Sequence, residues 1–284
     1  MKCDLLVVSA TQLITAPPGD GPLLKEDLDR PLLLEDAAVA CVGGRIAAAG
    51  KTSEVLARFP AKEAVRVLDA RGLLLAPGFV DSHTHLPFAG TREMEFDARA
   101  RGETYAAIAE KGGGIRASVR HLRAASEDSL AASVSKRLER LLAQGTTTVE
   151  AKSGYGLSLE EERKQLRALK RAADSSPLTV IPTFLGAHEI PDEHRANREE
   201  YVALLIETMI PAIAREKLAR FCDVFCDRGV FTVEESRRIL LRGRECGLGI
   251  KLHADELADV GAASLAAELR AVSADHLLHA SPQG

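Results

Sequence analysis

Short apolar runs alternate with helical patterns along the chain from Leu73 onward, and this alternation constrains the fold more than any other feature. Such βα units are typical of a parallel sheet covered by helices. The runs predict six strands, at residues 73–81, 146–152, 178–186, 221–226, 249–253 and 275–279.

Helix starts between these runs carry N-capping signals. Ser126 is expected to cap a helix whose apolar residues recur at helical spacing up to residue 142. Ser158 with Glu161, and Thr232 with Glu235, have the spacing of capping boxes, so each pair predicts the first turn of a helix after a strand.

Residues 1 to about 75 have a different pattern, with short β-like runs separated by Pro- and Gly-bearing loops. Gly43-Gly44 is a hairpin turn signal between two of these runs. The sequence therefore predicts a small β-sandwich-like domain over residues 1–75, followed by an α/β domain over residues 76–284. The Cys222 and Cys226 pair lies in a strand-like run, which favours core packing over a metal or redox role.

Two architectures fit the βα alternation, a doubly wound open sheet and a closed (β/α)8 barrel. Polar residues follow the carboxyl ends of many strands, as in the active sites of barrels; they lie at 81–85, 152–155, 188–189, 253–256 and 275–276. A dinucleotide-binding sheet would need a glycine fingerprint after its first strand, and the glycines at 112–114 follow a helix-like stretch instead. We therefore predict a TIM-type barrel with about six of its eight βα units.

Composition excludes several classes of protein. The 37 basic and 41 acidic residues give a net charge of −4, which leaves no basic footprint for nucleic acid. No uncharged apolar run approaches the ~18 residues of a membrane span, and the N-terminus lacks the apolar core of a signal peptide. Five scattered cysteines suit a reducing compartment. We therefore expect a cytoplasmic protein with no nucleic-acid or membrane partner.

A group of histidines lies at the predicted strand ends. His83 and His85 are two residues apart, so in an extended segment both imidazoles face the same side. His253 ends a later strand, Glu256 follows it by three residues, and His276 lies at the end of the next strand. By themselves these could be loop or core residues, but together they predict a shared metal site. Neutral imidazoles suit zinc or iron, and an open coordination position would give a hydrolytic centre.

A family resemblance makes this hypothesis specific. Residues 76–86, APGFVDSHTHL, resemble the opening metal motif of the amidohydrolase superfamily. Nearly the whole chain is similar to the imidazolonepropionase family within it, through segments 88–92, 95–96, 111–115, 146–156, 186–188 and 251–256. The stretches KSGYG (152–156) and HADE (253–256) carry the narrower assignment.

The resemblance implies the hydrolysis of 4-imidazolone-5-propanoate to N-formimidoyl-L-glutamate in histidine degradation. It implies one Zn²⁺ or Fe³⁺ per chain, bound by His83, His85 and His253. Glu256 and His276 would be the catalytic residues, moving protons and stabilising the carbonyl oxygen. Similar enzymes are commonly dimers, so the resemblance also implies a homodimer.

Three residues are implied to bind the small-molecule substrate: Arg92 through its propionate, and Tyr155 and His188 by hydrogen bonds. Without the resemblance, Arg92 reads as a surface arginine and Tyr155 as a turn residue, although its flanking glycines favour a ligand contact. Lys152 stands where other amidohydrolases carry a carbamylated bridging lysine. In this family it does not bridge, so the resemblance implies one metal ion and an orienting or structural role for Lys152.

Relatives in the family complete the metal site with an aspartate at the end of an eighth strand, whereas the runs here predict six. We therefore expect the chain by itself to expose sheet edges and to be inactive. A non-catalytic remnant that binds a metal or a partner is the alternative outside the enzyme class. Within that class, the alternative is another cyclic-amide or amidine hydrolase, of the hydantoinase, dihydroorotase or aminohydrolase type.

Overall fold

The computed structural model describes residues 2–15, 32–104 and 113–282. The chain divides into two compact units, Met1–Gly78 and Phe79–Gly284. The sequence predicts this division at residue 75. The first glycine of the run at 112–114 lies outside the described residues.

The first unit is built on one sheet. Its elements are β1 (Leu5–Thr15), β2 (Leu32–Val42), β3 (Arg45–Lys51), α1 (Thr52–Arg58), β4 (Arg66–Asp69) and β5 (Leu74–Leu75). The strand order is β3-β2-β1-β4, and β5 also pairs with β1. The predicted hairpin turn is confirmed, since Gly43 and Gly44 join β2 to β3 with φ of 59° and 73°. Val55 and Phe59, on α1 and at its end, pack against the sheet, which gives this unit its own core.

The second unit contains a parallel sheet of six strands in sequence order. The strands are β6 (Phe79–Asp81), β7 (Thr146–Lys152), β8 (Thr179–Ala187), β9 (Phe221–Cys226), β10 (Gly249–Ala254) and β11 (Ser273–His276). Each neighbouring pair is parallel. The predicted α/β class is therefore confirmed, with six consecutive βα strands of a TIM-type barrel.

Two strand predictions are wrong in their bounds. The apolar run 73–81 is not one strand, because Leu74–Leu75 pairs with β1 whereas Phe79–Asp81 pairs with β7. Pro77 and Gly78 lie between the two segments, and proline interrupts a ladder because it has no N–H to donate. The last strand begins at Ser273 and ends at His276, not at residue 279. Asp275 and His276 are therefore the last two residues of the strand.

The six-stranded sheet curls strongly. Five spacings of about 4.8 Å would separate the first and last strands of a flat sheet by about 24 Å. His83, just after β6, instead lies with its Nδ1 2.9 Å from Oδ2 of Asp275 on β11. The carboxyl ends of all six strands therefore face a common centre, as in a barrel. Within the described residues β6 and β11 do not pair with each other, and Phe79 and Val80 of β6 are 66% and 68% exposed.

Helices connect and cover these strands. They are α2 (Glu93–Ala100), α3 (Ile115–Ala124), α4 (Glu127–Ala143), α5 (Leu159–Asp174), α6 (Arg198–Leu204), α7 (Ile210–Arg215), α8 (Val233–Glu245) and α9 (Ala262–Glu268). A π-helical turn, Leu205–Met209, joins α6 to α7. Cys222 and Cys226 are buried free thiols in the main core, which confirms their packing role. Among the described residues, no helix is long and apolar enough to cross a membrane.

The capping predictions have different outcomes. Ser126 accepts a hydrogen bond from the N–H of Ser129, and Thr232 forms a complete capping box with Glu235. Ser158 is the N-cap of α5 but makes no side-chain capping bond. The buried carboxylate of Glu162, not Glu161, reaches back over the loop before the helix. This loop contains buried N–H groups that require an acceptor, and Glu162 satisfies them.

We predict that Thr232→Ala lowers the free energy of unfolding by about 1 kcal/mol, because it removes the hydroxyl that caps α8. Ser158→Ala is the matched control and should change stability by much less, because this hydroxyl makes no capping bond. Urea unfolding of both variants measures the difference. Equal losses for the two would contradict the capping assignment.

Candidate metal centre

The eight residues that the sequence predicts as site residues all line one cavity of about 420 Å³ at the carboxyl ends of the strands. They are His83, His85, Arg92, Tyr155, His188, His253, Glu256 and His276. Four residues that the sequence analysis did not assign complete the lining: Arg99, Ile115, Phe225 and Leu257. The fold thus brings the whole predicted set together from separate loops and strand ends.

The local backbone explains how His83 and His85 come to face the cavity. Thr84, between them, continues the pairing with β7 beyond the end of β6: its hydroxyl donates to the carbonyl of Glu150 at 2.5 Å, and its carbonyl accepts from the N–H of Lys152 at 2.9 Å. In an extended segment the two neighbours of such a residue share the opposite face. Both imidazoles are therefore directed to the same point.

Three imidazoles converge on that point. Nε2 of His85 lies 3.3 Å from Nε2 of His83 and 3.3 Å from Nε2 of His253. The ligand atoms of the three residues all lie within 4.8 Å of one another. Each of the three histidine rings thus presents a nitrogen atom to the common point.

Two carboxylates fix the orientation of these rings. Nδ1 of His83 lies 2.9 Å from Oδ2 of Asp275, and Nδ1 of His253 lies 3.0 Å from Oδ2 of Asp223. Burial would raise the pKa of Asp275, but the hydrogen bond with His83 and the charge of Lys152 lower this pKa to about 2. Burial opposes ionisation of Asp223 as well, yet His253 and Lys152 hold its pKa well below the usual range. Ionised carboxylates only accept, so the Nδ1 beside each carboxylate carries a proton, and the Nε2 of these two rings faces the common point.

This arrangement fits a metal ion. The Nε2 atom of His85 lies 3.3 Å from those of His83 and His253, which is close enough for the three atoms to coordinate one cation. Burial and then the neighbouring His188 hold the pKa of His85 well below its ordinary value, so this ring is neutral and can act as a metal ligand. Nitrogen ligands with carboxylates behind them are typical of zinc and iron sites in proteins. The three histidines therefore have the donor chemistry of a metal centre.

A cluster of buried charged side chains lies next to the three histidines. The ammonium of Lys152, fully buried, lies 2.8 Å from Asp223, 3.0 Å from Glu150 and 3.2 Å from Asp275. Lys251 lies 2.8 Å from Glu150. With both lysines protonated and the three carboxylates ionised, the cluster carries one net negative charge, which favours a cation bound above it.

Lys152 remains an ammonium in this environment. Burial lowers the pKa of Lys152, but the charges of Asp223 and Glu150 outweigh burial and raise it above the usual range. An ammonium has no lone pair to form a carbamate, which accords with the single-metal hypothesis and not with a carbamylated bridge. Sequence reasoning missed the role of Asp223. The available signal was a charged residue in the apolar run of β9, because a buried charge requires a partner.

Glu256 and His276 lie together at one side of the cavity. Nε2 of His276 is 3.5 Å from Oε2 of Glu256. Burial lowers the pKa of His276, partly opposed by the charge of Glu256, so the ring is neutral at pH 7. Asp227 fixes the backbone that carries Glu256, because its Oδ2 accepts the N–H groups of Glu256 and Leu257 at 2.7 and 2.8 Å. A carboxylate beside a neutral imidazole can exchange protons with a bound substrate.

Tyr155, His188 and the arginines line other parts of the cavity. Nδ1 of His188 donates to the carbonyl of Gly154 at 2.9 Å, since a carbonyl only accepts, and its ring stacks on His85 at 5.0 Å. Burial and then the neighbouring His253 lower the pKa of His188 to about 3. Arg92 is 40% exposed and its Nε lies 3.3 Å from Glu95. Two guanidinium groups, of Arg92 and Arg99, line the cavity and favour an anionic ligand.

Comparison with known proteins assigns the family. Residues 74–281 match the profile of the amidohydrolase family, and residues 37–61 match that of the imidazolonepropionase-like composite domain of bacteria. The chain belongs to the amidohydrolase family.

Curated relatives are more specific. The chain is 54% identical to an imidazolonepropionase from Symbiobacterium thermophilum, over 99% of this chain and 66% of the relative. It is 48% identical to an imidazolonepropionase from Clostridium tetani, over 100% of this chain and 67% of the relative. The resemblance seen in the sequence is thus confirmed. The chain spans about two thirds of the length of the curated relatives it matches.

Solved structures confirm the fold. A triazine hydrolase variant aligns with a TM-score of 0.60 and 17% identity, over 90% of this chain and 54% of that one. A guanine deaminase from E. coli aligns with a TM-score of 0.52 and 18% identity, over 90% of this chain and 54% of that one. At these identities the likeness concerns the fold alone.

We predict that Asp223→Asn weakens metal binding by about 10- to 100-fold, because the carboxylate that orients His253 and offsets the ion's charge is lost. Competition with a chromophoric chelator measures the affinity for Zn²⁺. Asp227→Asn is the matched control, since Asp227 follows the same strand but binds the backbone of Glu256. Equal affinities for Asp223→Asn and the parent would contradict the assignment.

We predict that His188 makes the metal-free protein less stable in acid. Burial lowers its pKa from the ordinary 6.5 to about 3 on folding, so the unfolded chain binds a proton that the folded chain excludes. The stabilisation is complete above pH 6.5 and is lost as pH falls below it, by about 1.4 kcal/mol between pH 7.5 and 5.5. Urea unfolding at the two pH values measures this, and His188→Asn should remove this part of the pH dependence. An unchanged dependence would refute the burial of a neutral ring.

Proposed function

We propose that the protein hydrolyses 4-imidazolone-5-propanoate to N-formimidoyl-L-glutamate, opening the ring at its amide carbon–nitrogen bond. One observation carries the proposal: a single cavity combines the three-histidine centre, the Glu256 and His276 pair, and an arginine-bearing wall. The identity to imidazolonepropionases along the chain supports this substrate.

The metal is proposed to be a single Zn²⁺ or Fe³⁺ held by His83, His85 and His253. When bound, such an ion supplies Lewis acidity that makes a water nucleophilic near neutral pH. Asp275 and Asp223 orient the rings of His83 and His253, because each carboxylate lies at the Nδ1 of its ring.

Glu256 is proposed as the group that moves protons. As an ionised carboxylate it accepts a proton from the attacking water and transfers it to the ring nitrogen that leaves. Asp227 fixes the backbone of Glu256, so only the side chain of Glu256 has to move between the two proton transfers. His276, neutral because of burial, donates a hydrogen bond to the carbonyl oxygen as negative charge develops there.

Three other lining residues, Arg92, Tyr155 and His188, are proposed to orient the substrate. Arg92 pairs with the propionate, because a guanidinium fork matches the two oxygens of a carboxylate. Tyr155 and His188 bind the ring by hydrogen bonds. Nδ1 of His188 is already occupied by Gly154, so its Nε2 is left as an acceptor for a substrate N–H. A cytoplasmic location and a homodimer, both expected from the sequence, stay predictions.

A substrate panel tests the proposal. The metal-loaded product of the complete gene is assayed with imidazolone propionate, hydantoin, dihydroorotate and guanine, alongside the 284-residue chain. We expect ring opening of imidazolone propionate alone. Turnover of another compound would assign a different cyclic-amide hydrolase or an aminohydrolase, and binding of metal without any turnover would favour a non-catalytic role.

An arginine pair sharpens this test within the same assay. Arg92→Gln should raise KM for imidazolone propionate by about 10- to 100-fold, the loss expected for a hydrogen bond to a charged group. Arg101→Gln is the control, because Arg101 pairs with Asp97 at the end of α2 and does not line the cavity. Equal effects of the two substitutions would contradict the role of Arg92.

A further inference from the structure

Two buried side chains of α5 bind every backbone N–H of the segment Gly154–Leu157, the loop that presents Tyr155 to the cavity. Glu162 accepts from Gly154 at 3.1 Å, from Gly156 at 2.8 Å and from Leu157 at 2.9 Å. Gln165 accepts from Gly154 and from Tyr155, both at 3.2 Å. Both side chains are fully buried. We name this pair of residues the α5 cradle.

The cradle holds a tightly packed loop, in which two glycines have no room for a side chain. Gly154 has a φ of 108°, and a Cβ there would lie 2.8 Å from the carbonyl oxygen of Leu185 and 2.9 Å from Nδ1 of His188. A Cβ at Gly156 would lie 2.5 Å from the backbone of Glu161 and Glu162. Leu157 adopts a φ of 54°, which residues with side chains rarely adopt. A strained backbone of this kind persists where its surroundings fix it, and here the fixing groups belong to the cradle.

Through this loop the cradle reaches two residues of the cavity wall. Tyr155 is carried by the loop itself, and its ring lies 5.2 Å from that of His188. His188 is held through its hydrogen bond to the carbonyl of Gly154, whose N–H the cradle binds. The amide nitrogen of Gln165 also donates to the carbonyl of Pro87 at 2.6 Å, in the segment that leads from His85 to Arg92. The cradle thus connects directly to the loops that carry Arg92 and Tyr155, and through Gly154 to His188.

We propose that Glu162 and Gln165 are positioning residues that fix Tyr155 and His188 for substrate binding, so that this wall of the cavity is formed before the substrate arrives. The inference rests on the function proposed above and deepens it. Neither residue lines the cavity, so neither touches substrate; they act through the backbone of residues 154–157.

The first experiment measures how well the backbone N–H groups of the loop are protected, and it does not depend on enzymatic activity. Amide hydrogen exchange of residues 154–157 is compared in the metal-loaded parent, Glu162→Gln and Gln165→Met. In Glu162→Gln an NH₂ group replaces one acceptor oxygen and faces a backbone N–H, so exchange there should be at least about tenfold faster. Gln165→Met keeps the volume and should expose the N–H groups of Gly154 and Tyr155 more mildly. Ile239→Val, a buried substitution on α8, controls for general loss of stability.

The second experiment tests positioning against a merely structural role. With imidazolone propionate, Gln165→Met should raise KM by more than it lowers kcat, with metal content unchanged. In the Tyr155→Phe background the same substitution should have a smaller effect, because the phenol through which it acts is already lost. Fully additive effects, or unchanged exchange at residues 154–157, would overturn the proposal.

The two experiments separate failure of this inference from failure of the proposed function. The parent in both experiments is the metal-loaded product of the complete gene. If this protein does not turn over imidazolone propionate, the proposed function is wrong, and the NMR shifts of the Tyr155 ring then replace KM as the readout. Ring shifts that move in Glu162→Gln and Gln165→Met, but not in Ile239→Val, support positioning of Tyr155. Ring shifts that stay unchanged in both variants overturn it.

Discussion

The contact of Lys152 with three carboxylates is the interaction on which the second unit depends. Lys152 lies on β7, Asp223 on β9 and Asp275 on β11, so one ammonium connects the early, middle and last strands of the curled sheet. The same carboxylates contact Nδ1 of His253 and His83. Removing a partner from a buried charge group leaves the others uncompensated, which costs several kcal/mol. The same charges therefore connect strands across the curled sheet and orient the rings of His83 and His253.

Much of this site could be predicted from the sequence, because its residues lie at strand ends. His83 and His85 share a face by the period of an extended chain, and His253 and His276 end neighbouring parallel strands. Parallel strands bring their carboxyl ends to one edge, so sequence positions translate into proximity. All eight predicted residues line one cavity for this reason.

Other features depend on contacts that no local pattern encodes. The run 73–81 has a continuous apolar pattern, yet Leu74 and Leu75 pair with β1, about sixty residues earlier in the chain. Ser158 and Glu161 have capping-box spacing, but the box does not form, and the neighbouring Glu162 instead satisfies the buried N–H groups of the preceding loop. The charge cluster was missed because its members come from four strands, and only the curled sheet places Asp275 beside His83.

The two sides of the cavity are held by different physical means, and this difference has a consequence for how the site can vary. The side formed by the three histidines is held by charges on the strands, so a change there disturbs both the histidines and the sheet. The loop side, which carries Tyr155, is held by hydrogen bonds from α5, and the arginine that lines the cavity beside it, Arg92, is exposed. Gln165 and Arg92 can change without leaving a buried charge unpaired, because Gln165 is uncharged and Arg92 is exposed. Substitutions on the loop side can therefore alter the ligand that the cavity accepts while the metal centre persists, as expected for a barrel whose strands carry the chemistry and whose loops select the substrate.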